Sequence, residues 1–255
     1  ELAACPDFPD QWLPELAPDI APNIAPNIAK AAARAQTGMA HASICKDGGD
    51  DPDVTSGALV TATVVALGPA APVREDSPSR PVPIYIVGGP GVGRVTLPGL
   101  PVPVGQAAIN PAPRQQMTFA LQHAAATGMF SYPALCVIVS VPEGLRLARK
   151  TFNPRLGIVG GISILGTQGT VRAYSHAAWK ATIRQGLDVA AATGCRSIGL
   201  STGRRSERLL MDRYPHMSQQ CFVQVADFAE FSLQAAGSMG FDTLVWGCFF
   251  GKLVK

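Results

Sequence analysis

From Ser175 to Cys248 short apolar runs of strand length alternate with longer segments of helical length, and this alternation constrains the fold more than any other feature of the chain. Helices are expected at about Ser175 to Ala192, Ser206 to Arg213 and Phe228 to Met239, with strands at Ser197 to Ser201, Cys221 to Val225 and Thr243 to Cys248. Strands separated by helical crossovers run parallel, because a crossover returns the chain to the same end of the sheet. The second half therefore reads as an α/β domain with a mostly parallel sheet, three-layered and Rossmann-like.

The first half lacks that rhythm. Strands are expected at His41 to Lys46, Ala58 to Val65, over IYIV, and at Ala134 to Val141, whose continuous apolar run suits a strand covered on both faces. One helix is expected at Arg114 to Thr127, while LPGLPVPVGQAAINPAPR is too rich in proline for a regular element. This predicts an α+β domain over residues 40–148, followed by the α/β domain over 149–255. Residues 1–39 hold the near-repeat APDIAPNIAPNIA, whose regular prolines predict a poorly ordered arm; AKAAARA, residues 29–35, could add a short helix.

Composition sets outer limits. With 47% hydrophobic and 15% charged residues the chain can bury a core, and a net charge of +3 without charge runs does not mark a nucleic-acid footprint. No apolar run reaches the roughly 18–20 residues that span a bilayer. Six cysteines without a CxxC pair are expected as reduced, mostly buried thiols of a cytoplasmic protein. The chain starts at Glu1 without a signal-peptide pattern and is expected to be a fragment.

Several motifs fall short of familiar chemistry. GGPGVGRVT has the glycine spacing of a phosphate loop, but Arg94 and Val95 stand where lysine and a hydroxyl residue would contact phosphate and magnesium. A tight glycine turn is the simpler reading. KDGGDDPDVTSG gathers Asp47, Asp50, Asp51 and Asp53, yet Ser56 occupies the glycine position of a calcium loop counted from Asp51. Capping of turns by these aspartates competes with ligand binding there. His41, His123, His176 and His216 are scattered, and GxSxG does not occur. NPRLGIVGGISILGTQGTVR, residues 153–172, places five glycines in what otherwise reads as a buried strand, which calls for a close backbone crossing or a ligand.

Taken together, KDGGDDPDVTSG, GGPGVGRVTLPGLPVPVGQAAINPAPR, KTFNPRLGIVGGISILGTQGTVR and the closing GKLVK resemble the CbiD family, the cobalt-precorrin-5B C1-methyltransferases of cobalamin biosynthesis. The motifs follow family order from about residue 40 to residue 255, and relative to that family the chain looks truncated at both ends. The resemblance implies methyl transfer from S-adenosylmethionine, as co-substrate, to carbon 1 of cobalt-precorrin-5B, giving cobalt-precorrin-6A. Cobalt enters as part of the substrate, and no metal site of the protein's own is implied. The nucleophile would be a ring carbon, so no catalytic side chain is assigned. Within the matched motifs, Arg94, Arg114, Asn153, Arg155, Asp50, Asp51, Asp53 and Lys252 are the candidates for substrate contact, and Gly160, Gly161, Gly166 and Thr167 for the methyl donor. The competing expectation is a non-catalytic remnant that binds a tetrapyrrole without turning it over. Neither a nucleic acid nor a membrane is expected as a partner.

Overall fold

The computed structural model describes residues 39–67, 71–72, 81–127, 130–166 and 171–254. Apart from Met39, the predicted N-terminal arm lies outside the described residues, and so does Thr167.

In the first half the elements are β1 (Met39–Cys45), β2 (Leu59–Leu67), β3 (Ala71–Pro72), β4 (Ile84–Gly88), β5 (Arg94–Val95), α1 (Pro111–Thr127), β6 (Phe130–Ser131), β7 (Ala134–Ser140) and α2 (Gly144–Ala148). The main sheet has the order β1-β2-β7-β4, antiparallel except where β4 joins β7 in parallel. As its uninterrupted apolar sequence predicts, β7 is covered on both faces. Cys136 and Ile138 pack with Val65 and Val87 on one face. Val137 and Val139 pack on the other with Ile109 and with Met117 and Leu121 of α1.

The second half contains β8 (Ile158–Val159), α3 (His176–Ala192), β9 (Ser197–Ser201), α4 (Arg204–Arg213), a 3₁₀ turn at Gln219–Cys221, β10 (Phe222–Gln224), α5 (Ala229–Gly237), β11 (Thr243–Gly247) and α6 (Phe250–Leu253). Ser175 caps α3, its side chain accepting from the amide of Ala178 at 3.2 Å, as a serine before an amphipathic run should. The sheet has the order β10-β9-β11 and is parallel throughout, as the alternation requires. Ile183 and Leu187 of α3 meet Ile198, Leu200, Val223 and Ala236 on one sheet face. On the opposite face, Cβ atoms built on Gly199 and Gly247 would lie 3.6 and 2.6 Å from the Leu210 side chain of α4.

Two expectations change. The glycine stretch is not one long strand: Gly157 and Gly160 take φ of +71° and +81°, which breaks the ladder and leaves the two-residue β8. β8 pairs with β5, so residues 158–159 join the glycine loop of the first half. The second correction concerns the cysteines. Cys195 and Cys221 form a disulfide, with Cα atoms 5.8 Å apart. Cys195 follows α3 and Cys221 precedes β10, and because α3 packs along β10 the crossover returns one to the other, a meeting that a separation of 26 residues does not announce. Of the remaining described thiols, Cys45 is exposed, Cys248 intermediate and Cys136 buried. Burial pushes the Cys136 thiol up to about 12, which makes it inert at neutral pH. Among the described residues no helix is long and apolar enough to cross a membrane.

Candidate functional site

The three long motifs converge on one cleft of about 210 Å³. The acidic loop contributes Lys46, Asp53 and Thr55; the glycine and proline-rich segment contributes Val95, Val102 and Asn110; the stretch 151–165 contributes Thr151, Asn153 and Ser163, and α3 adds Thr182 and Gln185. Leu100, Leu156, Ile158 and Leu165 make much of its wall apolar.

At one side of the cleft Lys46 is held in place. Its Nζ donates to Thr55 Oγ1 at 2.6 Å and forms an ion pair with Asp53. The other oxygen of Asp53 accepts from the amide and the hydroxyl of Thr55, at 2.8 and 2.7 Å. Partial burial alone would raise the Asp53 carboxyl, but the Lys46 hydrogen bond and charge and the two Thr55 bonds outweigh it and hold the group below its ordinary value. Of the acidic loop, the part that faces the cleft is thus a Lys–Asp–Thr cluster, while Asp47 and Asp50 are exposed. Asn153 is a buried part of the cleft wall, its amide donating to the Gly161 carbonyl at 3.3 Å while Ser163 donates to its Oδ1 at 3.4 Å.

The glycines answer the question raised by their number. A Cβ on Gly91 would lie 1.7 Å from the Val141 carbonyl oxygen, one on Gly144 1.9 Å from the Gly91 oxygen, and one on Gly161 2.1 Å from that same oxygen. Three segments therefore cross backbone to backbone at Gly91. The crossing is hydrogen-bonded: Ile162 donates to Gly91 at 2.9 Å, Gly93 to Ile162 at 2.8 Å, and Ile164 to Ala108 at 2.8 Å. Its result is to seat Ile158, Ile162 and Ser163 on the cleft wall. By contrast, a Cβ on Gly160 would meet open space.

Among the predicted substrate contacts, Asp53 and Asn153 line the cleft. Arg155 lines a smaller neighbouring pocket and is engaged by Glu207, a carboxylate 2% exposed that also accepts from Gln224 Nε2 at 2.6 Å. Arg114 points into the fold, donating from Nε to Ile109 at 2.9 Å, from Nη1 to Ile86 at 3.0 Å and from Nη2 to Ala107 at 3.3 Å. Arg94 donates to the Gly105 carbonyl, Lys252 pairs with Asp227 at 2.5 Å, and Asp51 accepts from the Tyr174 amide at 3.4 Å. Asp50 is exposed on the turn. Of the predicted donor contacts, Gly160, Gly161 and Gly166 flank the cleft-lining Ile162, Ser163 and Leu165 without lining the cleft themselves. Sequence reasoning passed over Lys46, Thr55, Asn110 and Ser163. All four stand inside the quoted motifs; for Lys46, Thr55 and Ser163 a basic or hydroxyl residue near an aspartate or a glycine turn was the available signal, and for Asn110 there was none.

The CbiD family model matches residues 17–173, more than half of the chain. A cobalt-precorrin-5B C(1)-methyltransferase from Nitratidesulfovibrio vulgaris is 56% identical over 212 residues, covering 83% of this chain and 52% of the relative. One of the same name from Geobacillus thermodenitrificans is 47% identical over 217 residues, covering 85% of this chain and 55% of that protein. The chain spans about half the length of the curated relatives it matches. The crystal structure of a cobalamin biosynthesis protein (cbiD) from Archaeoglobus fulgidus aligns with a TM-score of 0.36 and 23% identity, over 85% of this chain and 62% of that one. On the family match and the identity of these relatives, the chain belongs to the CbiD family.

Proposed function

We propose that the protein transfers the methyl group of S-adenosylmethionine to carbon 1 of cobalt-precorrin-5B, giving cobalt-precorrin-6A, in construction of the corrin ring. The observation that carries this reading is the convergence of the three family motifs on a single cleft. The name borne by relatives up to 56% identical supports it.

The donor supplies an electrophilic methyl group on a positive sulfur, and the substrate supplies the carbon nucleophile. The protein's tasks are alignment and exclusion of water, which together can lower a barrier by several kcal/mol, about 7–11 in well-oriented systems. An apolar wall with a few fixed polar groups suits those tasks better than a nucleophile and base would. At about 210 Å³ the cleft is below the roughly 300–1,000 Å³ of sites that enclose a whole ligand, so it takes an edge of the macrocycle with one acid arm. In this reading Lys46, which lines the cleft, meets that arm: two of its three donors go to Asp53 and Thr55, which leaves the third for the ligand. Arg114 and Arg155 hold the surrounding walls in place. We also read residues 149–255 as a three-layer, Rossmann-like unit following an α+β unit over 40–148, supported by the helices on both faces of the parallel sheet.

Incubating the chain with S-adenosylmethionine and cobalt-precorrin-5B, followed by mass spectrometry, tests the reading; one added methyl is the expected product. The competing reading is a member of the family that binds a tetrapyrrole without turning it over. Binding of cobalt-precorrin-5B with no mass gain selects that alternative.

A further inference from the structure

We propose that the Cys195–Cys221 disulfide is a site of thiol–disulfide exchange with small thiols of the glutathione class, and that its reduction weakens ligand binding in the neighbouring cleft. The exchange is argued from geometry alone; its effect on a tetrapyrrole rests on the methyl-transfer reading above.

The two sulfurs differ in access. Cys221 is 6% exposed, whereas Cys195 is half-buried just after α3, between the exposed Gly194 and Arg196. Disulfides that solvent reaches are the ones that small thiols open, so an external thiolate attacks the Cys195 sulfur and Cys221 becomes the leaving group. A hydroxyl is placed for that departure. Ser218, itself exposed, has its Oγ 3.3 Å from Cys221 Sγ and 3.8 Å from Cys195 Sγ. Its hydrogen bond is stronger to a thiolate than to a neutral sulfur, which favours the anion through which the exchange passes.

Two thiols balance the reaction. The first forms a mixed disulfide with Cys195 as the Cys195–Cys221 bond breaks, and the Cys221 thiolate takes up a proton. The second attacks the glutathione sulfur of the mixed disulfide, so that glutathione disulfide forms and Cys195 leaves as a thiolate, which is protonated in turn. The protein gains two electrons and two protons, both supplied by the thiols.

The place of the bond in the fold ties it to ligand binding. Cys221 closes the 3₁₀ turn Gln219–Cys221. Gln220 of that turn and Gln224 of β10 line the small pocket beside the cleft, together with Thr182 and Gly186 of α3. Phe152, Leu156 and Thr182 line both the pocket and the cleft, so one wall serves the two. By joining the turn to the segment that leaves α3, the disulfide fixes the spacing of the elements on which that wall stands. Reduction removes this constraint while the wall still has to hold its ligand.

The test begins by blocking the free thiols Cys45 and Cys248 with N-ethylmaleimide. The chain is then equilibrated with graded mixtures of reduced and oxidised glutathione, newly opened thiols are labelled and mapped by mass spectrometry, and circular dichroism follows the fold. Calorimetry measures the affinity for uroporphyrin, the tetrapyrrole probe, in both redox states. Cys195 and Cys221 should open together in a folded chain, and uroporphyrin should then bind about tenfold more weakly, within the usual range of coupling between two sites. By linkage, saturating uroporphyrin should shift the reduction equilibrium by the same factor. Cys195→Ser should bind uroporphyrin as the reduced chain does and ignore glutathione. A bond that resists reduced glutathione, a chain that unfolds when the bond opens, or equal affinity for uroporphyrin in the two states overturns the proposal. If uroporphyrin binds in neither state, the tetrapyrrole reading falls and hydrogen exchange decides the switch: faster exchange over 182–186 and 220–224 on reduction keeps it, and unchanged exchange ends it.

Discussion

Arg155 and Glu207 are 52 residues apart and meet fork to fork, Nη1 on Oε1 and Nη2 2.5 Å from Oε2. The pair ties the segment after α2 to α4, but its two ends are not equivalent: the Glu207 side chain is 2% exposed and that of Arg155 28%. Removing the arginine strands a buried carboxylate. Arg155→Ala should therefore cost about 3–5 kcal/mol, and Glu207→Ala less, because the guanidinium left behind can reach water. Urea unfolding of both single variants and the double variant checks this; the double variant should cost less than the sum.

Lys46 should act on substrate binding rather than on turnover. Lys46→Gln removes the charge facing the cleft, and the Michaelis constant for cobalt-precorrin-5B should rise about tenfold with kcat little changed, the pattern of lost uniform binding. An equal fall in kcat and kcat/KM would instead place Lys46 in the transition state.

The Asp53 carboxyl is held below its ordinary value, so it contributes stability that is fully present above the unfolded-state value and lost as pH falls through the folded-state value. The stability difference between the unaltered chain and Asp53→Asn should be constant from about pH 5 to 8 and shrink below about pH 4. Thermal unfolding across that range measures it. A difference that grew on acidification would contradict the Lys46–Asp53 pairing.

The Cys195–Cys221 bond closes a loop over a separation of 26 residues. On the chain-entropy account a loop of that size adds about 3–4 kcal/mol. Dithiothreitol should lower the urea midpoint, and Cys195→Ser should lower it equally and make the reductant ineffective. Alkylation without reductant should leave both residues unlabelled.

At the glycine crossing the penalties should differ sharply by position. Gly91→Ala puts a methyl group on the Val141 carbonyl and should cost about 3 kcal/mol or more, at or beyond the upper end of overpacking. Gly160→Ala meets no neighbour and pays for its positive φ alone, about 1–2 kcal/mol. Equal effects at the two positions would refute the crossing.

The regular elements were legible because their signals are local. The apolar run of β7, the serine cap of α3 and the alternation of the second half each depend on a handful of adjacent residues. What escaped depends on partners far away. Nothing next to Arg155 announces Glu207, nothing next to Cys195 announces Cys221, and the need for glycine at 161 lies in the carbonyl of Gly91. The site was legible as motifs but not as geometry. Asp53 and Asn153, singled out from the sequence, line the cleft, whereas Lys46 was hidden by the aspartates around it and Arg114 turns to backbone carbonyls.

The crossing also bears on how the chain acquires its structure. Gly93 and Ala108 each rely on a bond network completed by residues 162–164, so the first half cannot finish its hydrogen bonding until a segment some 70 residues later has been delivered. A nascent chain paused near Lys150 would hold a sheet with an unfilled slot. Insertion of Ile162 and Ile164 should close that slot in one step, and the amides of Gly93, Ile162 and Ile164 should then exchange with deuterium as a single unit.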